Sequence, residues 1–178
     1  MTVDALRRRR PEALEDVLAL HGREIQAVAY LILRNRADAE DVVVETLLTA
    51  FERSGQLRDE RAFRTWLLRI ATNHALTMRR RGGRIVRLHV LPDRASTDDI
   101  GRASTDHVAL LDGLAALPAA MRAAVVLRYY ADLPVEEVAA ALGKSPNTIK
   151  AQLQTALDRL RLTLADPLAA TPPEARHA

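Results

Sequence analysis

Four carboxylates, Asp38, Glu40, Asp41 and Glu45, fall within eight residues of one another. Carboxylates so spaced can bind a divalent cation, favour a helix N-terminus or face a basic partner. Metal-binding helices of this kind usually pair their acids with histidines, as in E-x-x-H or H-E-x-x-H, and neither pattern occurs in the chain. No metal site and no cofactor are expected. Helix capping with a solvated face and a protein-binding surface both remain open for the acidic run.

A second chemistry is written in amides and basic groups. Pro134 to Leu164 reads as a short helix, a Gly143 turn and a capped helix, the helix-turn-helix pattern of DNA-binding proteins. In the second helix Ile149, Leu153, Ala156, Leu157 and Leu160 mark the buried side. Asn147, Thr148, Ala151, Gln154 and Thr155 lie opposite, with Lys150 and Gln152 on the flanks. Asn and Gln pair with adenine through two hydrogen bonds, and Lys suits phosphate or guanine. A third grouping sets Arg69, Asn73, Leu76 and Arg80 in one row opposite Trp66, Ile70 and His74, closed by the run Arg79–Arg81. Arginines at a helix C-terminus also favour the dipole, but that does not explain Asn73.

Covalent catalysis finds no footing. Cysteine is absent, which removes disulfides, thiolate zinc sites and thiol nucleophiles. No nucleophile–base arrangement and no glycine-rich phosphate loop is present. His74 and Trp66 fall on an apolar face and read as core. His21 and His107 have no plausible partner nearby in sequence. The expectation is a binding protein, not an enzyme.

The elements that must position these groups are helices. Leu14, Val17, Leu18, His21, Ile25, Val28, Ala29 and Ile32 follow helical spacing, broken at Arg34–Ala37. A second helix is expected from a capping Asp38 through Val42, Val43, Leu47, Leu48 and Phe51, followed by a polar loop from Ser54 to Ala62. A third carries Phe63 to Met78 and stops at Gly82-Gly83. The stretch 82–107 reads as a flexible linker, with a short β pair at Ile85–Val90 as its alternative. Helices resume near Val108, with Pro118, Gly143 and Ser145-Pro146 as punctuation. The fold class is therefore all-α: two small helical domains, 12–81 and 108–165. A basic N-terminal tail (1–11) and a disordered C-terminal tail (166–178) flank them.

Composition fits that division. The 178 residues carry 26 basic and 23 acidic groups, a net charge of only +3. Only Lys144 and Lys150 are lysines; every other basic residue is arginine. Apolar residues make up 48% but aromatics only 3%, so Leu, Ala and Val must pack the core. The longest apolar run, Ala27–Leu33, is far short of the ~20 residues that span a bilayer. A soluble cytoplasmic protein without stable membrane insertion is expected.

The motifs also match a family. Asn35–Thr46, with Asp38-Ala39-Glu40-Asp41 followed by Val42, Glu45 and Thr46, resembles the DAED-V-x-E-T signature of region 2 in extracytoplasmic-function (ECF) bacterial sigma factors. Phe63–Asn73 resembles the F-R-x-W-L-x-R-I-A-x-N helix of the same region, and Leu114–Arg161 resembles region 4. The resemblance implies that Asp38, Glu40, Asp41, Val44 and Glu45 meet the clamp helices of the largest subunit of core RNA polymerase. It implies that Arg69, Asn73, Arg79 and Arg80, with the Ser54–Ala62 loop, read the promoter −10 element and hold a flipped base. Asn147, Thr148, Lys150, Ala151, Gln152 and Gln154 would read the −35 element as duplex. The linker would thread the polymerase channel, and an anti-sigma factor is a further partner such proteins often have.

Three positions depart from the family pattern. Val44 stands where Gln is usual, Asn147 where Gly is frequent, and Lys150–Thr155 lacks two arginines of the common K-S-R-L-S-R run. Weaker phosphate anchoring follows, which the salt dependence of promoter binding measures. A stand-alone helix-turn-helix regulator is the alternative function, but it leaves the acidic run and the Arg69/Asn73 row without a role. A recombinase-type enzyme would need a catalytic set the chain does not supply.

Overall fold

Alternating apolar spacing at three and four residues makes helices that bury one face, and the described residues form eight of them. The computed structural model describes residues 2–57, 59–85 and 105–165. The helices are α1 (Thr2–Arg7), α2 (Glu12–Leu33), α3 (Arg36–Arg53), α4 (Phe63–Ile85), α5 (Thr105–Ala116), α6 (Ala119–Val125), α7 (Val135–Leu142) and α8 (Pro146–Ala165). No strand occurs among the described residues. No described helix is long and apolar enough to cross a membrane. The expected tail at 166–178, most of the expected linker (86–104) and the β-pair positions after Ile85 lie outside the described residues.

α2, α3 and α4 pack on one another as a three-helix bundle. Ile25, Val28, Ile32, Val42, Leu67, Leu68 and Ala71 are buried within it. The segment 1–11, expected to be a basic tail, instead holds α1, with Val3 and Leu6 buried. Two apolar side chains on one helical face suffice to dock the turn. Ser54 Oγ fixes it further by donating to the Leu6 carbonyl at 3.1 Å.

α3 starts earlier than its acidic run suggests. Asn35, not Asp38, is the cap: its Oδ1 accepts the Asp38 backbone N–H at 3.1 Å. Asn is as good a cap as Asp, and choosing it places Asp38 inside the first turn, where its charge favours the dipole. α2 stops at Arg34, which takes a left-handed conformation at φ 60° with its N–H on the Tyr30 carbonyl. The expected loop from Ser54 to Ala62 contains two 3₁₀ turns, Ser54–Gln56 and Glu60–Ala62. α4 runs through Gly82 and Gly83 to Ile85, beyond its expected stop. A glycine costs a helix only about 1 kcal/mol against alanine, too little to end one already nucleated over five turns.

The second half packs α5, α6 and α7 against α8. Leu127, Leu133, Val138, Ile149 and Ala156 fill its centre. Gly113 lets α5 approach α8 closely; a Cβ there would sit 2.9 Å from Leu160 Cδ2. α6 widens into a π-helical turn over Val126–Tyr130, closed by the Ala131 N–H on the Val126 carbonyl at 3.0 Å. The buried side chains of the two halves form one continuous core.

Candidate nucleic-acid interface

The helix-turn-helix element is assembled by local chemistry. Gly143 ends α7 at φ 62°, a left-handed conformation that costs a non-glycine residue about 1 kcal/mol or more. Its N–H and that of Lys144 both reach the Ala139 carbonyl. Ser145 then caps α8 by accepting the Thr148 N–H at 3.1 Å, and Pro146 takes the first helical position. Ile149, Leu153, Ala156 and Leu160 are buried, while Leu157 is only half-buried. This orientation leaves Asn147, Thr148, Lys150, Ala151 and Gln154 exposed on the outer face.

The six expected positions on α8 are not equivalent. Thr148 Oγ1 is held by Ser145 Oγ at 2.8 Å, and Gln154 Nε2 donates to Asp158 Oδ1 at 3.2 Å. Gln152 is half-buried, with its Oε1 enclosed and unpartnered among the described residues. Asn147 and Lys150, in the first turn, are the most open to a ligand, and Ala151 adds a small surface beside them.

The second row lies on α4. Arg69, Asn73 and Arg80 are exposed along one side, and Arg80 Nη2 donates to Thr77 Oγ1 at 3.1 Å. Arg79 points elsewhere. It is half-buried and donates to the Ile32 carbonyl at the end of α2, 3.3 Å away. Arg69 and Asn73 line a cleft of about 900 Å³ with Arg53, Gln56, Thr77 and Arg81. Arg53 and Gln56 belong to the turn after α3, and helical periodicity alone gives no hint that they join this site. The opposite wall is Ala140–Gly143 of α7.

His74 sits in the cleft floor as a satisfied group, its Nε2 2.9 Å from Thr49 Oγ1. Trp66 is only 8% exposed and stacks near Phe63 at 6.1 Å. His21, which had no partner in sequence, meets Phe63 edge-on at 5.6 Å. Burial lowers its imidazole pKa from the ordinary 6.5; nearby Glu24 opposes that shift and Arg64 adds to it.

The acidic run lies on α3 and borders this cleft through Glu45, which lines it. Asp41, Val44, Glu45 and Leu48 share one exposed face of α3, with Val44 56% and Leu48 49% exposed. Glu40 pairs with Arg36 at 3.3 Å, and Asp38 is half-buried. Leu48 is exposed because α2 and α4 pack on Val42, Val43 and Ala50 instead. Its signal in the sequence is its spacing of seven from Asp41 and four from Val44. Among the described residues no three His, Asp or Glu converge as metal ligands.

Comparison with known proteins places both halves. Residues 17–85 match the family described as Sigma-70 region 2, and residues 107–160 the family described as Sigma-70, region 4. The chain is 36% identical over 162 residues to the ECF RNA polymerase sigma factor SigE of Mycolicibacterium smegmatis, covering 85% of this chain and 61% of that protein. It is 33% identical over 152 residues to the ECF RNA polymerase sigma factor SigL of Mycobacterium tuberculosis, covering 82% of this chain and 85% of that one. In fold it is similar to the sigma factor RpoE of Bartonella quintana, solved with the anti-sigma factor NepR. The TM-score is 0.68 at 24% identity, over 85% of this chain and 96% of that one.

Proposed function

The chain belongs to the ECF subfamily of the sigma-70 RNA polymerase sigma factors, and from that premise we propose that it binds core RNA polymerase and directs it to promoters. As in its family generally, the role is that of an initiation factor, not of an enzyme. The observation that carries the reading is the presence of three exposed polar rows on three helices, with Glu45 of the α3 row at the edge of the α4 cleft. The Asn147/Lys150 turn of α8 suits duplex DNA, the Arg69–Asn73–Arg80 row of α4 suits a single strand, and the Asp41–Val44–Glu45–Leu48 face of α3 suits a protein.

In this reading 12–81 acts as region 2 and 108–165 as region 4. The first turn of α8 enters the major groove of the −35 element, where Asn147 can take adenine N6 and N7 and Lys150 a phosphate. The Arg69/Asn73 cleft holds the −10 strand. Extruding a base costs a few kcal/mol of stacking, offset by contacts inside such a pocket. With six aromatics in the whole chain, broad stacking on aromatic platforms is not available, so capture of one or two bases is the economical route. The α3 face docks on the clamp helices of the largest polymerase subunit through two carboxylates flanking two apolar side chains. Val44 gives that face an apolar contact where relatives would place an amide. Asp38 and Glu40 support the surface from its edges. The likeness to a sigma factor solved with an anti-sigma factor supports adding an anti-sigma protein to the partners, and the site of action is then the cytoplasm.

The test is to mix the chain with core RNA polymerase and a genomic promoter library and to sequence the transcript starts. Initiation from a defined promoter set is the expected result. DNA binding without core binding or initiation overturns the proposal and leaves a stand-alone regulator.

A further inference from the structure

Four consecutive arginines, Arg7–Arg10, close α1 and follow it, and two of them reach the chain that joins α3 to α4. Arg7 Nη2 donates to the Leu57 carbonyl, and its Nη1 pairs with Glu60 at 3.4 Å. Arg9 Nη2 donates to the Glu52 carbonyl at 3.3 Å, and its guanidinium stands 5.5 Å from the centre of the Phe51 ring. Arg9 takes a left-handed conformation at φ 56°, which glycine adopts at less cost. Its contacts with Glu52 and Phe51 offset that cost. Ser54 Oγ on the Leu6 carbonyl adds a bond between these two, over the buried Leu6 and Leu57. α1 therefore holds the segment Glu52–Glu60 at four points. Within that segment the exposed Arg53 and Gln56 line the cleft of Arg69 and Asn73.

We propose that α1 braces the −10 pocket: Arg7 and Arg9 are positioning residues that fix the Glu52–Glu60 segment, so that Arg53 and Gln56 face the strand held by Arg69 and Asn73. The proposal rests on assigning that cleft to the −10 element. Arg69 and Asn73 stand on a long helix whose own hydrogen bonds fix them. Arg53 and Gln56 stand at a helix end and on a short 3₁₀ turn, where backbone freedom is larger and a base-reading group loses precision unless its carbonyls are tied. Guanidinium suits the task, since its several N–H donors let Arg7 hold a carbonyl and a carboxylate at once. These bonds lie near the surface, so they order the loop more than they stabilise the fold. Among the described residues Arg7 and Arg9 stay out of the cleft lining, so their effect on base choice passes through Arg53 and Gln56.

The test combines Arg7→Ala and Arg9→Ala in the full chain, with core polymerase and promoters randomised across the −10 element. Core binding and −35 duplex affinity should match the parent, while base preference at the most selective −10 position should flatten about fivefold. Gln56→Ala should flatten that preference in the parent and add nothing in the unbraced chain, because the brace acts through this loop. Unchanged −10 preference in the double variant overturns the proposal. Additive losses with Gln56→Ala overturn the route through the loop. Should circular dichroism show the double variant unfolded, the single variants, each keeping the other arginine's bonds, decide by the same measure. Hydrogen exchange tests the brace without polymerase. The Leu57 amide, which donates to the Ser54 carbonyl at 3.3 Å, should exchange about fivefold faster in the double variant. An unchanged rate overturns the brace. Failure of the parent to bind core polymerase overturns the sigma-factor reading instead, and the exchange rate still decides whether α1 orders the loop.

Discussion

α4 and α8 carry the same kind of row, and the protein treats the two rows differently. Each is a long amphipathic helix with amide and basic side chains opposite its apolar stripe: Arg69, Asn73 and Arg80 on one, Asn147, Lys150 and Gln154 on the other. α8 enters from a tight turn at the edge of its half, so its first turn stands clear of other elements. α4 is packed by α2 and α3 behind and by α7 across the cleft. Peripheral placement leaves an open row, whereas central placement leaves a walled one. The amphipathic pattern alone cannot tell them apart.

The harshest way to break this contrast is at Arg122, which is 1% exposed. Its guanidinium donates to the Ala115, Leu117 and Ile32 carbonyls, the last belonging to the other half. Burial, with Arg79 and Arg34 nearby, lowers its pKa to about 10. Arg122→Met takes this donor from the Ala115 and Leu117 carbonyls, while the Ile32 carbonyl keeps Arg79, and should cost about 3 kcal/mol of unfolding free energy in urea titration. A loss below about 1 kcal/mol would mean that the carbonyls find other donors.

The rows themselves are separated by Asn147→Ala and Asn73→Ala. The first should remove about 1–3 kcal/mol of base discrimination on duplex −35 DNA. The second should leave duplex affinity unchanged and reduce permanganate-reactive open complexes. Equal losses on duplex would erase the distinction. Lys150→Ala should lower the log–log salt slope of duplex binding by about one. Because two arginines of the family run are missing, the parent slope should already be shallow; a slope matching that of an arginine-bearing relative removes the inference of weak anchoring.

Smaller effects sharpen the same comparison. Ser145→Ala removes the α8 cap and should cost about 1 kcal/mol in thermal unfolding, without changing reactivity in the α4 cleft. On the α4 side, burial disfavours the charged form of His21. Its folded pKa lies below 6.5, so the unfolded chain binds the proton more readily. Its stability contribution is complete above about pH 6.5 and is lost as pH falls through the lowered value. His21→Gln should flatten that part of the acid limb, as measured by urea midpoints across pH.

Much of this architecture is legible residue by residue. Ser145-Pro146 and Gly143 announce the start of α8 and the end of α7 because capping and left-handed backbone select residue types. The apolar spacing of α2 and α8 names their buried faces. The acidic run and the Asn73 row are visible as chemistry in the wrong place for a core. Less legible were the ends and the margins. α1 is too short for periodicity to register, α4 overran two glycines, and Asn35 displaced Asp38 as the cap. The exposure of Leu48 is not marked in sequence because α3 has apolar residues on more than one side, and only its neighbours decide which side is covered.

The sequence by itself determined the longer helices, their polar rows and the family, since each depends on which side chain stands at which spacing. Only the tertiary structure decided which rows are open. Arg79 left its row for the Ile32 carbonyl, Arg64 crossed to the Ala131 carbonyl, and Arg122 joined the ends of α2 and α5. The acceptor in each case is a backbone oxygen, which every residue carries, so nothing in the residue types marks it. Contacts between unlike side chains leave a pattern in sequence; contacts to carbonyls at helix ends exist only once the chain has folded.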